Sequence, residues 1–100
     1  MKKIFVIYTE KDPEINRTRL LTIKKLLEDD CNYVFIDRLD NNSISHQEKW
    51  FKELVAADEI VLLNSPFLKK SKWVRQELRI AKLLGKKVRM MDIKYIDRIS

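Results

Sequence analysis

The apolar positions of this chain fall into four short runs separated by three stretches of helical period. Residues 2–8, 32–37, 59–64 and 87–92 read as strands. The first and third are continuously apolar, as expected of strands buried on both faces. Asp12 is a good N-cap and Pro13 suits a first helical position, so a helix is expected from Pro13 to about Asp29. Its buried stripe is Ile15, Leu20, Ile23, Leu26 and Leu27, with Arg19 inside the arc and its stem directed outward. Residues 38–44 are polar and rich in turn formers. Ser45 and Glu48 then have the spacing of a capping box, and a helix from His46 to about Ala57 buries Trp50, Phe51, Leu54 and Val55. A third helix begins near Ser71 and ends at Gly85, a natural C-cap position. Residues 93–100 form a short charged tail.

The order β-α-β-α-β-α-β implies a parallel sheet with right-handed crossovers and helices on both faces. The expected fold is a three-layer α/β, flavodoxin-like domain with strand order 2-1-3-4. Ligands of such sheets bind at the carboxyl ends of the strands, where the order reverses. Those ends are Tyr8-Thr9, Asp37-Arg38, Asn64-Ser65 and Asp92.

One residue breaks the pattern of the third helix. At about 100° per residue, Trp73, Val74, Leu78, Ile80, Ala81 and Leu84 share one arc, and Arg75, Gln76, Arg79 and Lys82 lie opposite. Glu77 sits in the middle of the apolar arc, close to the helix start. A carboxylate there is costly unless it is paired or faces a cleft. The misplaced acid and the strand ends therefore converge on one crevice.

Composition narrows the function classes. One hundred residues make one domain with room for a single core. With 45% hydrophobic and 36% charged residues the chain reads as globular rather than disordered. No apolar run approaches the roughly 18 residues of a membrane span. The opening Met1-Lys2-Lys3 and its apolar run are too short for a signal peptide, and Glu10 and Asp12 follow at once, so a cytoplasmic location is expected. Cys31 is the only cysteine and reads as a small core-edge residue, which leaves no internal disulfide. His46 is the only histidine, read as exposed, so nucleophile–His schemes have at most one candidate base and no metal site is expected. The single glycine, Gly85, excludes the glycine-rich phosphate cradles. Any phosphate must then meet basic side chains or helix N-termini.

Charge is uneven. Residues 1–64 carry 10 basic and 12 acidic residues, a balance of −2, and residues 65–100 carry 11 basic and 3 acidic, a balance of +8. Nucleic acid is not the expected partner, because no aromatic interleaving accompanies the charge. Lys69, Lys70 and Lys72 read as a solvated loop rather than a phosphate clamp.

Several segments together resemble the Toll/interleukin-1 receptor-like (TIR) domains. Phe5-Val6-Ile7-Tyr8-Thr9-Glu10-Lys11-Asp12 is similar to the opening F-I-S-Y-S-x-x-D of that family. Residues 57–67, from Ala57-Asp58 to Ser65-Pro66-Phe67, are similar to its A-D-x-x-i-v-l-l-S-p-x-y. Ser71-Lys72-Trp73-Val74-Arg75-Gln76-Glu77-Leu78 matches S-x-W-V/C-x-x-E-L, and Ala81 through Val88 fits A-x-x-x-G-K-x-V. The resemblance covers residues 2–92. It departs at Ile7, where the family often has Ser, and in the loop after the second strand, which lacks the usual glycine or proline. On this resemblance the fifth strand and last helix of a full TIR domain are expected to be absent or reduced to the tail.

The resemblance implies NAD as a substrate, with no resident cofactor and no metal, and Glu77 as the residue that cleaves its nicotinamide–ribose bond. It implies substrate contacts from Tyr8, Thr9, Ser65 and Trp73. Arg38 is expected among them, at the head of residues 38–45, which correspond to the family's mobile BB loop. Self-association is a further implication, with no membrane partner. A second resemblance is to nucleoside 2-deoxyribosyltransferase-like proteins, whose E-x-G-x-A pattern is met by Glu77 and Ala81 but not by Arg79. Three functions stay open: hydrolysis or cyclisation of NAD, a non-catalytic interaction or nucleotide-sensing module, and deoxyribosyl transfer between bases.

Overall fold

The computed structural model describes residues 2–29, 32–41 and 44–94; Cys31 and all but the first two residues of the charged tail lie outside them. The elements are β1 (Lys3–Ile7), α1 (Arg17–Glu28), β2 (Tyr33–Phe35), α2 (Asp37–Asp40), α3 (His46–Ala56), β3 (Glu59–Asn64), α4 (Lys72–Leu83) and β4 (Lys87–Asp92), with a 3-10 turn at Leu68–Lys70 before α4. The strands form one sheet in the order β2-β1-β3-β4, and every pairing is parallel. This is the expected flavodoxin-like arrangement.

Alternation along the strands supplies two cores. Ile4, Val6, Val34, Val61 and Leu63 pack with Leu20, Ile23 and Leu27 of α1. Phe5, Ile7, Phe35, Ile60 and Leu62 pack with Trp50 and Leu54 of α3 and Val74 and Ala81 of α4. Both faces of the central strands are thus covered, which is why their sequences read as unbroken apolar runs. No helix among the described residues is long and apolar enough to cross a membrane.

Four local expectations are corrected. Helix α1 starts at Arg17 rather than Pro13. The Asp12 carboxylate accepts from the Glu14 N–H at 2.9 Å and its carbonyl from the Ile15 N–H at 3.1 Å, closing a separate turn. Asn16 then caps α1, its Oδ1 accepting from the Arg19 N–H at 2.9 Å. The segment after β2 opens as a short helix rather than a loop. Asp40 accepts from the Ile36 N–H at 2.8 Å, and Asn41 donates to Asp37 at 2.7 Å and to the His46 carbonyl at 2.9 Å. Ser45 takes the N-cap position of α3 but its side chain makes no capping bond there. Finally, α3 buries Trp50 and Leu54, while Phe51 and Val55 are exposed. The Trp50–Leu54 row meets the sheet, and the Phe51–Val55 row is rotated by about 100° to the side.

Helix α4 ends as expected. Gly85 adopts φ 68°, its N–H donates to the Lys82 carbonyl at 3.0 Å, and the Lys86 N–H donates to the Ala81 carbonyl at 2.9 Å. That is a Schellman cap, which favours glycine at the left-handed position.

Candidate functional site

Ser71 caps α4, its hydroxyl accepting from the Val74 N–H at 3.3 Å. The cap fixes the helix start, so Val74, Glu77 and Ala81 become its buried row. Glu77 is only 4% exposed. Its Oε2 accepts a hydrogen bond from the Trp50 indole Nε1–H at 2.7 Å. Burial raises the Glu77 pKa from the ordinary 4.5 to about 8; the Trp50 hydrogen bond opposes the rise, and the charge of Asp37 adds to it. The carboxyl group is therefore mostly protonated at neutral pH.

Glu77 lines a cleft of about 570 Å³ at the carboxyl ends of β1 and β2, against the start of α4. Tyr8 and Asp37 line it from the strand ends, and Trp73 walls it. Lys11, Lys70 and Lys72 also reach it, together with Glu10. The Tyr8 phenol is raised well above its ordinary value by burial first and then by Glu10 and Asp37, while a hydrogen bond from the backbone at Arg38 pulls it back. A neutral phenol in that position is a hydrogen-bond donor. Trp73 is 43% exposed and packs on Trp50 with ring centroids 4.7 Å apart at 39°. The sequence places Trp73 on the apolar arc; at the first turn of α4 it overhangs the strand ends and shows one side to the cleft.

Three of the six expected site residues, Tyr8, Trp73 and Glu77, meet in this cleft. The other three lie elsewhere. Thr9 is buried and its hydroxyl accepts from the Lys11 N–H at 3.2 Å, so it shapes the loop. The Arg38 side chain is exposed and does not line the cleft. The Ser65 hydroxyl donates to Asp12 Oδ2 at 2.5 Å and accepts from the Phe67 N–H at 3.1 Å. Ser65 and Asp12 border a second cleft of about 450 Å³, at the ends of β3 and β4.

Sequence reasoning missed Trp50 and Lys11 as site residues and named Asp37 only as a strand end, and Lys70 and Lys72, expected only as a solvated loop, border the cleft while remaining exposed. A signal for Trp50 existed. An acid on an apolar arc needs a donor, and a buried indole N–H needs an acceptor. The two unmatched groups answer each other.

Chemically the cleft offers a buried carboxyl group, two further acidic side chains (Asp37 and Glu10), a phenol, an indole wall and a basic mouth. The ionised form of Glu77 can stabilise a cation placed against it, and the lysines suit an anionic group nearer solvent. Against known proteins, no family model matches this chain, no curated protein matches it, and no solved structure matches it.

Proposed function

We propose that the protein cleaves the nicotinamide–ribose N-glycosidic bond of NAD, with Glu77 as the catalytic carboxylate. The observation that carries this reading is the buried Glu77 carboxyl group lining the strand-end cleft. The resemblance to TIR domains supports it, because the motif residue of that family falls on the same position. When the C1′–N bond breaks, its electron pair neutralises the positive ring nitrogen of nicotinamide, and C1′ develops oxocarbenium character. A carboxylate in a low-dielectric site stabilises that charge more than water does. Water then attacks C1′ and loses a proton, giving linear ADP-ribose; an adenine nitrogen attacking instead gives a cyclic product. In this reading Tyr8 and Asp37 hydrogen-bond ribose hydroxyls and Trp73 walls the nicotinamide ring; what supports it is that all three line the cleft with Glu77.

The lysines at the mouth favour a phosphorylated substrate over an unphosphorylated deoxynucleoside. A second reading, a nucleotide-sensing or interaction module without turnover, is favoured by the raised pKa of Glu77, since a neutral acid supplies no stabilising charge. The substrate resolves that objection for the enzyme: a pyridinium cation draws the carboxyl group toward its ionised form.

The test is chromatography of NAD incubated with the protein at high concentration and with its Glu77→Gln variant. Nicotinamide release by the parent alone supports the proposal. Release by both, or by neither, overturns it, and free base from deoxynucleosides in the same assay points to the transferase alternative.

A further inference from the structure

We infer that Trp50 of α3 is the positioning residue of Glu77: its indole N–H fixes the carboxyl group at the cleft and favours the ionised form that acts on substrate. The catalytic half of this inference rests on the function proposed above; the ionisation half stands on its own.

The geometry is specific. Glu77 is 4% exposed, and the Trp50 Nε1–H at 2.7 Å is its one hydrogen-bond donor among the described residues. A buried carboxyl group with a single donor takes its orientation from that donor. Trp50 is itself held. It is 8% exposed, belongs to the core beneath α3 and α4, and packs against Trp73 at 4.7 Å. Helix α3 also fixes its own end, because the Lys86 side chain donates to the Val55 carbonyl at 2.6 Å and the Ala57 carbonyl at 2.7 Å. The donor is therefore delivered by a helix with little freedom to slide.

The groups around Glu77 act in different directions. The Asp37 charge disfavours the Glu77 carboxylate. Tyr8, Glu10 and Lys11 reach the cleft from β1 and the loop after it, and Lys70 and Lys72 from the turn and the start of α4. Helix α3 presents an uncharged donor. Burial and Asp37 thus oppose ionisation, and the Trp50 N–H favours it.

The test is Trp50→Phe, which keeps an aromatic ring and removes the N–H. The Glu77 side-chain carboxyl carbon is titrated by NMR in parent and variant, and the pH profile of NAD cleavage is recorded for both. The expected result is a Glu77 midpoint about one pH unit higher in the variant, with about tenfold less ionised form at neutral pH. The acidic limb of kcat/KM moves with it, and kcat falls more than KM rises. An unmoved or lowered midpoint overturns the inference. Loss of rate with an unmoved pH profile also overturns it, because that is the mark of a structural role. A control that does not depend on the variant's folding is the Trp50 indole N–H resonance of the parent. It should titrate together with Glu77 and lose that step in Glu77→Gln; an indole signal without the step overturns the inference. If the parent releases no nicotinamide while these titrations behave as expected, the NAD reading fails and the positioning of Glu77 stands.

Discussion

Replacing Glu77 with Gln should make the fold more stable in alkaline solution and change it little in acid. In the unfolded chain Glu77 ionises at its ordinary 4.5, but in the folded protein it ionises only at about 8. Folding therefore favours the protonated acid. The stability that this provides is fully present below 4.5 and is lost as pH rises through the folded value of about 8. Between those limits the unfolded state gives up a proton that the native state keeps. At about 1.36 kcal/mol per pH unit the whole interval amounts to on the order of 5 kcal/mol, an upper bound because the native state relaxes. Typical domains are stable by only about 5–15 kcal/mol, so the effect is large on that scale.

The amide side chain of the variant keeps the shape and an acceptor for the Trp50 N–H, but it never ionises. The assay is urea unfolding followed by tryptophan fluorescence, parent against variant, at about pH 5 and about pH 8.5. Other titrating groups are common to both chains and cancel in the difference. The expected difference is small at the acid end and several kcal/mol in favour of the variant at the alkaline end. Parallel stabilities across the window would refute the reasoning. So would a parent whose stability stops falling by about pH 6, because Glu77 would then be ionising near its ordinary value despite its burial.

Three further outcomes follow from the same geometry. Binding of NAD at pH 7 to a form that cannot turn over quickly should release close to one proton, about the protonated fraction of Glu77; calorimetry in buffers of different ionisation heat measures it, and no release would mean that the pyridinium does not reach the acid. Lys70→Ala with Lys72→Ala should raise KM for NAD about tenfold at low salt and much less at high salt, and should leave cleavage of nicotinamide riboside nearly unchanged, since the riboside has no phosphate. Ser65→Ala removes the hydroxyl that donates to Asp12 at 2.5 Å and should cost about 1–3 kcal/mol in urea unfolding without moving the Glu77 titration, because Ser65 and Glu77 line different clefts.

The sheet was legible because parallel strands buried on both faces leave an unbroken apolar run, and the glycine at position 85 marks a left-handed cap that few other residues accept. Glu77 was legible for the opposite reason, as the one charge on an arc that should carry none. What escaped depended on competition between good candidates. Asp12 and Asn16 are both strong caps, and the choice fell to Asn16 because Asp12 is engaged by its own turn and by Ser65. The wheel puts Trp50 and Phe51 on one arc, and only the angle at which α3 meets the sheet decides which one is buried. The strand-end rule put Tyr8, Asp37 and Ser65 together, whereas Ser65 borders a different cleft from Tyr8 and Asp37. It does not say that the ends of β1 and β2 open onto one cleft and those of β3 and β4 onto another. The short helix α2 comes from polar side chains bonding their own backbone, a choice that hydrophobic period does not record.

The basic residues at the cleft mouth sharpen the case for a charge that waits on its ligand. Three lysines border the cleft, yet the influences on Glu77 are burial, the Trp50 hydrogen bond and Asp37. The lysines are exposed, so water screens them from a carboxyl group that is almost wholly buried. On the proposed function they would meet phosphate near the surface, and the acid would meet the part of the substrate that enters deeply enough to displace solvent. A folded protein that only needed a packed helix has no use for an acid at position 77, whose ionisation burial opposes. Keeping an acid there, held by one indole and opposed by a neighbouring carboxylate, makes sense if its charge develops when a cation arrives. The cost in stability and the proposed chemistry then come from the same burial. A variant that relieves one should remove the other, which is why the stability of Glu77→Gln and its silence toward NAD belong in the same experiment.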